Sequence, residues 1–383
     1  MYLLRLNFEN IRNHNITELF PSKNINVIFG RNGSGKTSIL EAISTGAFSK
    51  SFVTSFDQNI VQNGKDYYLV EIEARSENGL PIGLQVLYQL NRKKEIKTTA
   101  GENLSVQELI GKVPVVVLSP EMREIIFGAP SMRREFIDRI ISQTDANYLK
   151  SLLLHRRILK QRNKLLNEFQ LGITNDTDLL KIWTLKFIEI SAEVVSRRLR
   201  FFEHFPLFFE RSYQILSNNQ ESINITYQPF EFPSNLASLS HSDILEILKS
   251  QADKYFDKEI QRGITLFGPQ KDDFLILLNN QLARNVASQG QSKTILISLK
   301  HAEMNYLYEM RKTYPIVLFD DIFSELDNER ITQVLKILSD TSVQFFLTTT
   351  EVDWLKKSLP GSSLVKSFYV ESGKVSEVSL SVL

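Results

Sequence analysis

Residues 30–37 read Gly-Arg-Asn-Gly-Ser-Gly-Lys-Thr, and what stands on either side of them decides the fold. Ahead lies Ile25-Asn26-Val27-Ile28-Phe29, a short apolar run that predicts a buried strand. Behind, Lys36-Thr37-Ser38-Ile39-Leu40-Glu41-Ala42-Ile43 predicts the opening of a helix. Strand, glycine loop and helix, in that order, are the context in which such a run cradles phosphate. Gly30, Gly33 and Gly35 let the backbone curl so that successive N–H groups converge on phosphate oxygens. The helix N-terminus adds unpaired donors and a partial positive charge. Lys36 is expected to reach the β- and γ-phosphates of ATP, and the Thr37 hydroxyl to ligate Mg²⁺. The candidate nucleotide site therefore includes Gly30, Arg31, Asn32, Gly33, Ser34, Gly35, Lys36, Thr37 and Ser38.

Far downstream, Pro315-Ile316-Val317-Leu318-Phe319-Asp320-Asp321 is an apolar strand ending in two acids. In P-loop ATPases the acid at such a strand end holds Mg²⁺, which suits Asp320. Asp321 stands where a base orients the attacking water. The plainer reading is a buried strand running into an acidic turn. Ser324-Glu325-Leu326-Asp327 follows where composite-site ATPases place a dimer-contacting loop. Residues 343–347 predict a neighbouring strand leading into Thr348-Thr349-Thr350. Ser288-Gln289-Gly290-Gln291 precedes a helix whose Ile295, Leu299, Ala302, Tyr306 and Met310 share one face. Hydroxyl, glycine and helix dipole together suit an anion, although the same residues also make an ordinary helix cap. In ABC-type ATPases a signature at this place touches the ATP of the opposite subunit, so Ser288, Gly290 and Gln291 are candidate nucleotide contacts.

Roughly 280 residues separate Lys36 from Asp320, more than one ATPase domain needs between its phosphate motifs. The expected architecture is α/β: an ABC-type ATPase head, a mixed sheet with flanking helices, carrying an inserted and mainly helical arm. Its N-terminal lobe spans 1–120, the arm 121–262 and the C-terminal lobe 263–383. Residues 131–169 and 178–216 show helical periodicity on either side of a loop at 170–176. Unbroken, they would form antiparallel helices about 50 Å long. Residues 221–233 alternate like extended chain and 242–262 return to helix. Residues 67–74 and 80–90 alternate like strands, with Asn78-Gly79 as a tight turn between them.

Composition narrows the class. An apolar fraction of 42% with 23% charged residues is that of a soluble globular chain, not a disordered one. No apolar run is long enough to span a membrane, and Met-Tyr-Leu-Leu-Arg-Leu-Asn is no secretory signal. Zero cysteines exclude a disulfide scaffold and point to the cytosol. With a net charge of +1, any nucleic-acid site must rest on local concentration of positive charge.

Taken together, the motifs resemble the RecF family of DNA repair ATPases, whose heads are related to Rad50 and SMC proteins. The likeness runs nearly end to end. Leu6-Asn7-Phe8-Glu9-Asn10-Ile11-Arg12-Asn13-His14 resembles the family's "NFRNY" opening, with Ile11-Arg12-Asn13-His14 for Phe-Arg-Asn-Tyr. Ser119-Pro120-Glu121, Gly128-Ala129-Pro130 and Arg133-Arg134-Glu135-Phe136-Ile137-Asp138 resemble "SPEDL…GxPxxRRxFLD". Ser288-Gln289-Gly290-Gln291 is similar to "SxGQQK", with Ser292 for its second Gln. The run Asp320-Asp321-Ile322-Phe323-Ser324-Glu325-Leu326-Asp327 is similar to "DDxFSELD". The family's "GPHRDD" stands here as Gly268-Pro269-Gln270-Lys271-Asp272-Asp273, which puts any role of the replaced His-Arg pair in question.

The resemblance implies that two chains close head to head, each ATP held between the Lys36 loop of one and Ser288 and Gly290 of the other. Arg12 joins the nucleotide contacts by the same resemblance. Closure would clamp DNA, and slow hydrolysis would release it. Family members act with RecR and RecO in directing recombinase loading at single-strand gaps, in the bacterial cytoplasm at the nucleoid. An ATP-gated scaffold with negligible hydrolysis and a transporter ATPase subunit are the competing readings. The long insert, Asp321 in place of Glu and the missing switch histidine count against the transporter.

Basic stripes offer DNA a place. Arg156, Lys160 and Lys164 share a helical face with Arg157, Arg162 and His155 beside them. Arg197, Arg198 and Arg200 form a second group, and Arg92, Lys93, Lys94 and Lys97 a third. Either these are solvated faces with pairs such as Lys164–Glu168, or one of them meets phosphates without reading sequence. Arg156, Arg157, Lys160 and Lys164 are the first candidates. Phe201 to Phe209 is the densest aromatic run, expected as arm core, with a partner surface as the other reading. No histidine is assigned to metal or catalysis.

Overall fold

The computed structural model describes residues 1–217, 221–322, 343–350 and 365–378. They fall into two compact units, Met1–Met122 with Lys293–Leu383, and Arg123–Ser292.

The first unit contains two sheets. One is antiparallel and joins β1 (Tyr2–Ile11), β2 (His14–Leu19), β4 (Tyr67–Arg75), β5 (Pro81–Gln89) and β6 (Glu95–Thr98) in the order β2-β1-β4-β5-β6. Alternate residues of β4 are buried, as expected of a sheet with one wet face. The β4–β5 turn is wider than a two-residue hairpin. Ser76 N donates to Leu80 O at 3.0 Å and Gly79 N to Ser76 O at 2.9 Å, with Gly79 at φ +80.

The other sheet holds β3 (Ile25–Phe29), β7 (Val115–Leu118), β11 (Ile316–Phe319), β12 (Phe345–Thr349), β13 (Val365–Glu371) and β14 (Lys374–Glu377) in the order β14-β13-β3-β12-β11-β7. All its pairings are parallel except β13 with β14. Every residue of β3, β7, β11 and β12 is buried, because a parallel sheet covered on both faces has no polar side to show. The helix Lys36–Phe48 packs on both sheets, and Ile39, Leu40 and Ile43 join the core with Phe8, Val70, Val117 and Leu318.

In the second unit, the periodic stretch 131–169 proves to be two helices, Pro130–Thr144 and Ala146–Gln170. Asp145 separates them in extended conformation, and its carboxylate accepts from Asn147 N at 2.9 Å and Tyr148 N at 3.0 Å. Capping satisfies donors that a continuous helix would have paired internally. The helix Thr177–Ser217, about 60 Å of rise, packs against Ala146–Gln170 and against the helix His241–Arg262. Phe201, Phe205 and Phe209 are buried, with Phe201 and Phe205 stacked at 4.6 Å, so these three rings are core, whereas Leu207 is exposed and Phe202 and Phe208 are half-buried.

The arm extends further along the chain than the expected 121–262. Strand β8 (Ile223–Gln228) pairs with β9 (Asp273–Leu278), which pairs with β10 (Gln281–Leu282). Arg133 grips Asp273 through Nε at 2.6 Å and Nη2 at 2.8 Å. These ties bring residues 263–292 into the second unit, whose boundary falls inside the helix Gln289–Arg311.

Charge is buried here on a scale the sequence did not announce. Arg162, expected on a basic face, is 1% exposed and donates to Glu259 Oε1 at 3.1 Å and Oε2 at 2.7 Å. Arg198, likewise buried, donates to Asp138 at 2.9 Å and Asp272 at 2.8 Å, and Tyr148 donates to Asp138 at 2.5 Å. Burial pushes the Asp272 carboxyl up, with Arg198 opposing. Removing one member of such a pair strands its partner. Glu259→Gln should therefore destabilise the chain by about 3–5 kcal/mol in urea unfolding, and Arg162→Met with Glu259→Leu should recover most of that loss. A single-variant loss near zero would refute the structural role.

Candidate functional site

The site begins where three parallel strands end together. Phe29 is in register with Thr349, and Leu347 with Phe319, so the segments leaving β3, β12 and β11 emerge at one sheet edge. Ligands of open α/β sheets bind at the carboxyl ends of their strands. From β3 comes the glycine loop. Gly30, Gly33 and Gly35 have φ of +153, +75 and +113, and Gly35 caps the helix Lys36–Phe48. A Cβ at Gly30 would stand 2.2 Å from Val370 O, so the loop tolerates no side chain there.

Lys36 folds back over the loop, its ammonium donating to Gly30 O at 2.9 Å and Arg31 O at 3.0 Å. Burial lowers its pKa, while Asp321 and Asp320 oppose the shift. Thr37 Oγ1 donates to Asp320 Oδ1 at 2.8 Å, and from β12 Thr348 Oγ1 donates to the same oxygen at 2.8 Å. Burial raises the Asp320 pKa, with these two hydrogen bonds pulling it back. Asp321 takes a left-handed backbone at φ +47, and its N–H donates to Thr348 Oγ1 at 2.9 Å. One threonine hydroxyl thus holds the positions of both acids.

Two hairpin turns brace the loop's outer side. Asn13 Nδ2 donates to Ser34 O at 2.8 Å, Gly373 N to the same oxygen at 2.9 Å, and His14 Nε2 lies 3.0 Å from Gly35 O. His14 Nδ1 lies 2.9 Å from Thr17 Oγ1. Burial lowers the His14 pKa and the ring is neutral, so Nε2 facing a carbonyl carries the hydrogen and Nδ1 accepts from Thr17.

The family model described as RecF/RecN/SMC N terminal domain matches residues 2–376. The chain is 35% identical over 352 residues to the DNA replication and repair protein RecF of Chloroherpeton thalassium, covering 92% of this chain and 95% of that protein. It is 33% identical to the Staphylococcus aureus protein of the same name, covering 98% and 100%. The chain belongs to the RecF family. A solved structure described as the recombination mediator protein RecF with ATP in the RecFOR pathway superposes with a TM-score of 0.90 at 31% identity, covering 99% of this chain and 98% of the other. An SMC head bound to the winged-helix domain of ScpA shares the fold, with a TM-score of 0.58 at 16% identity.

Against the RecF-family motifs, Lys36, Thr37, Asp320 and Asp321 are brought together with the loop. Arg31 and Asn32 are exposed, and Ser34 and Ser38 are buried. Arg12 is engaged elsewhere: Nε and Nη2 donate to buried Glu41 at 2.8 and 2.9 Å, a fork-to-fork pair tying the β1–β2 turn to the loop's helix. The signature forms a capping box, with Ser288 N donating to Gln291 Oε1 at 2.7 Å and Gln291 N to Ser288 Oγ at 3.2 Å. Gln291 Nε2 also donates to Glu221. Ser324 to Asp327 lie outside the described residues.

The stripe residues Arg156, Arg157, Lys160 and Lys164 are all exposed. Arg156 lies 3.5 Å from Asp138 and Lys164 makes the anticipated pair with Glu168 at 3.7 Å. Beside them Arg162 and His155 are buried; in the second basic group Arg198 is buried, and in the third Lys94 donates to Ser49 O at 2.7 Å and Asp57 at 2.5 Å. The replaced Gln270 donates to Phe267 O at 2.5 Å within its own turn. Sequence reading assigned no role to His14 or Thr348, although the first stood in the opening motif and the second in the threonine run.

Replacing Thr348 with Val should weaken Mg²⁺-dependent nucleotide binding about tenfold in titration calorimetry, since both acids lose their common hydrogen bond. Unchanged affinity would show that Asp320 needs only Thr37. A raised Asp320 pKa means the folded chain keeps that proton more tightly than the unfolded one. Its contribution to stability is therefore favourable below 3.8 and lost as pH rises through the raised value. Asp320→Asn should accordingly raise the melting temperature at pH 7 without nucleotide, and remove a pH-dependent step in stability that lies above 3.8.

Proposed function

We propose that this chain is an ATP-dependent DNA-binding protein of recombinational repair, in which two ATP-loaded heads close on DNA and slow hydrolysis releases it. The observation carrying the proposal is the junction of loop and acid, where Thr37 and Thr348 converge on one oxygen of Asp320 beside Lys36. The relatives named DNA replication and repair protein RecF, and the neighbour solved with ATP, supply the biological setting.

The chemistry follows from what each group does. Loop N–H groups and the helix N-terminus meet the phosphates. Lys36 exchanges neutral carbonyl partners for charged phosphate oxygens, a stronger hydrogen bond in a partly dry site. Ser34 Oγ is buried without a hydrogen-bond partner among the described residues, an orphaned hydroxyl within the loop that suits a polar ligand. Thr37 and Asp320 present hard oxygen donors of the kind Mg²⁺ takes. Among the described residues no cluster of acids and histidines could hold a metal by itself, so phosphate oxygens and water would complete its shell. Bound there, Mg²⁺ would neutralise charge on the β- and γ-phosphates. Asp321, whose backbone N–H is held by Thr348, is the base we assign to orienting water.

Ser288 and Gly290 at the start of Gln289–Arg311 form the surface offered to a second chain's ATP, and Arg12, paired with Glu41 through Nε and Nη2, joins the nucleotide contacts beside the loop's helix. DNA would meet the exposed Arg156, Arg157, Lys160 and Lys164 through phosphates, with a salt-sensitive affinity. RecR and RecO are the partners the family setting suggests.

Light scattering with and without MgATP tests the clamp. ATP should convert monomer to dimer, and Ser288→Arg should keep the ATP-bound chain monomeric. A wild-type chain that stays monomeric at saturating ATP would overturn the composite site. Steady-state turnover should rise on adding DNA, and Asp320→Asn should lower it by about 100-fold or more.

A further inference from the structure

Nucleotide recognition by a glycine loop depends on which way its peptide units face, and in this chain that orientation is set from outside the loop. All described peptide bonds are trans, so each unit carries its C=O and N–H on opposite sides. The Ser34 carbonyl belongs to the unit that carries the Gly35 N–H. The Gly35 carbonyl belongs to the unit that carries the Lys36 N–H. Asn13 Nδ2 and Gly373 N both donate to Ser34 O, at 2.8 and 2.9 Å. His14 Nε2 reaches Gly35 O at 3.0 Å. Donors behind the carbonyls therefore aim two N–H groups toward the other side, where the phosphates of a nucleotide held by this loop would lie.

We infer that His14 is a positioning residue for the nucleotide phosphates, acting with Asn13 and the Gly373 N–H as a fixed brace that presets the peptide planes of the glycine loop. The inference rests on the reading of residues 30–38 as an ATP site. Three further observations carry it. The ring is fully buried, and because a carbonyl can only accept, Gly35 O fixes the tautomer with hydrogen on Nε2, leaving Nδ1 to accept from the Thr17 hydroxyl. A Cβ on Gly35 would lie 2.4 Å from His14 Nε2, so ring and loop are in contact with no room between them. The supporting turns are themselves locked together, since a Cβ on Gly373 would lie 2.1 Å from Asn13 O. Presetting the loop in this way removes part of the ordering entropy that binding would otherwise cost.

His14 also packs edge-on against Phe8, with centroids 5.1 Å apart, so a merely structural role has to be separated from positioning. Two variants of the full chain do so. His14→Leu keeps bulk and loses the donor, whereas His14→Gln keeps an N–H at similar reach and loses the ring. Titration calorimetry with MgATP should show Kd raised about tenfold for His14→Leu and within about threefold of wild type for His14→Gln. Wild-type affinity in His14→Leu would overturn the inference. So would a glutamine variant as weak as the leucine one, because ring packing would then explain the loss. Should His14→Leu fail to fold, Asn13→Ala at the partly exposed turn carries the test, with a several-fold loss expected and wild-type affinity overturning the brace. Failure of the wild-type chain itself to bind MgATP would instead sink the ATP reading.

Discussion

A single carboxylate oxygen organises the nucleotide end of this molecule. Asp320 Oδ1 accepts from Thr37 at the start of the loop's helix and from Thr348 at the end of the strand between them. The helix that opens with Thr37, the strand that carries Thr348 and the strand that ends before Asp320 belong to three neighbouring strand positions whose register brings them to one edge. Desolvating that carboxylate is unfavourable, as its raised pKa records, and the two hydroxyls offset only part of the penalty. A site that holds an under-compensated anion next to a buried ammonium is poised for a cation and a polyphosphate. Stability is sacrificed locally where the chemistry needs charge.

The inserted unit follows a different rule. Its arginines are spent internally: Arg133 on Asp273, Arg162 on Glu259, Arg198 on Asp138 and Asp272. The motif residues Arg133, Asp138, Asp272 and Asp273 therefore hold helices to strands, and none of these groups is free to meet phosphate. Among the groups open to an anionic partner is the exposed row Arg156, Arg157, Lys160 and Lys164, each on a flexible stem and two of them already near a carboxylate. Contacts of that kind suit a partner read by its backbone charge alone.

How much of this was legible beforehand depends on the range of the interactions involved. The loop, its strand and its helix are encoded within a few residues, by glycines and by a fully apolar run, and those readings hold. Asp320 was found because an apolar strand ends on it. Asp145 was missed as a helix break, since apolar periodicity runs through it and only its capping of Tyr148 reveals the interruption. Arg162 and Arg198 looked like surface charge because helical spacing cannot report a partner such as Glu259 or Asp272, distant in sequence. His14 was invisible as a loop brace for the same reason, its acceptor being a backbone carbonyl in another element. The end of the insert was placed early because β9 carries no mark of its pairing with β8.

The strand order carries one last implication, for biosynthesis. The apolar strand Ile25–Phe29 leads into the glycine loop, yet both its neighbours, Phe345–Thr349 and Val365–Glu371, are translated roughly 300 residues later. At ordinary elongation rates this strand waits on the order of tens of seconds for either edge to be covered. Throughout that interval the nascent chain presents an unpaired hydrophobic ribbon, a natural substrate for chaperones. The brace at Gly373 arrives later still, so the glycine loop has long left the ribosome before the residue that completes its brace is made.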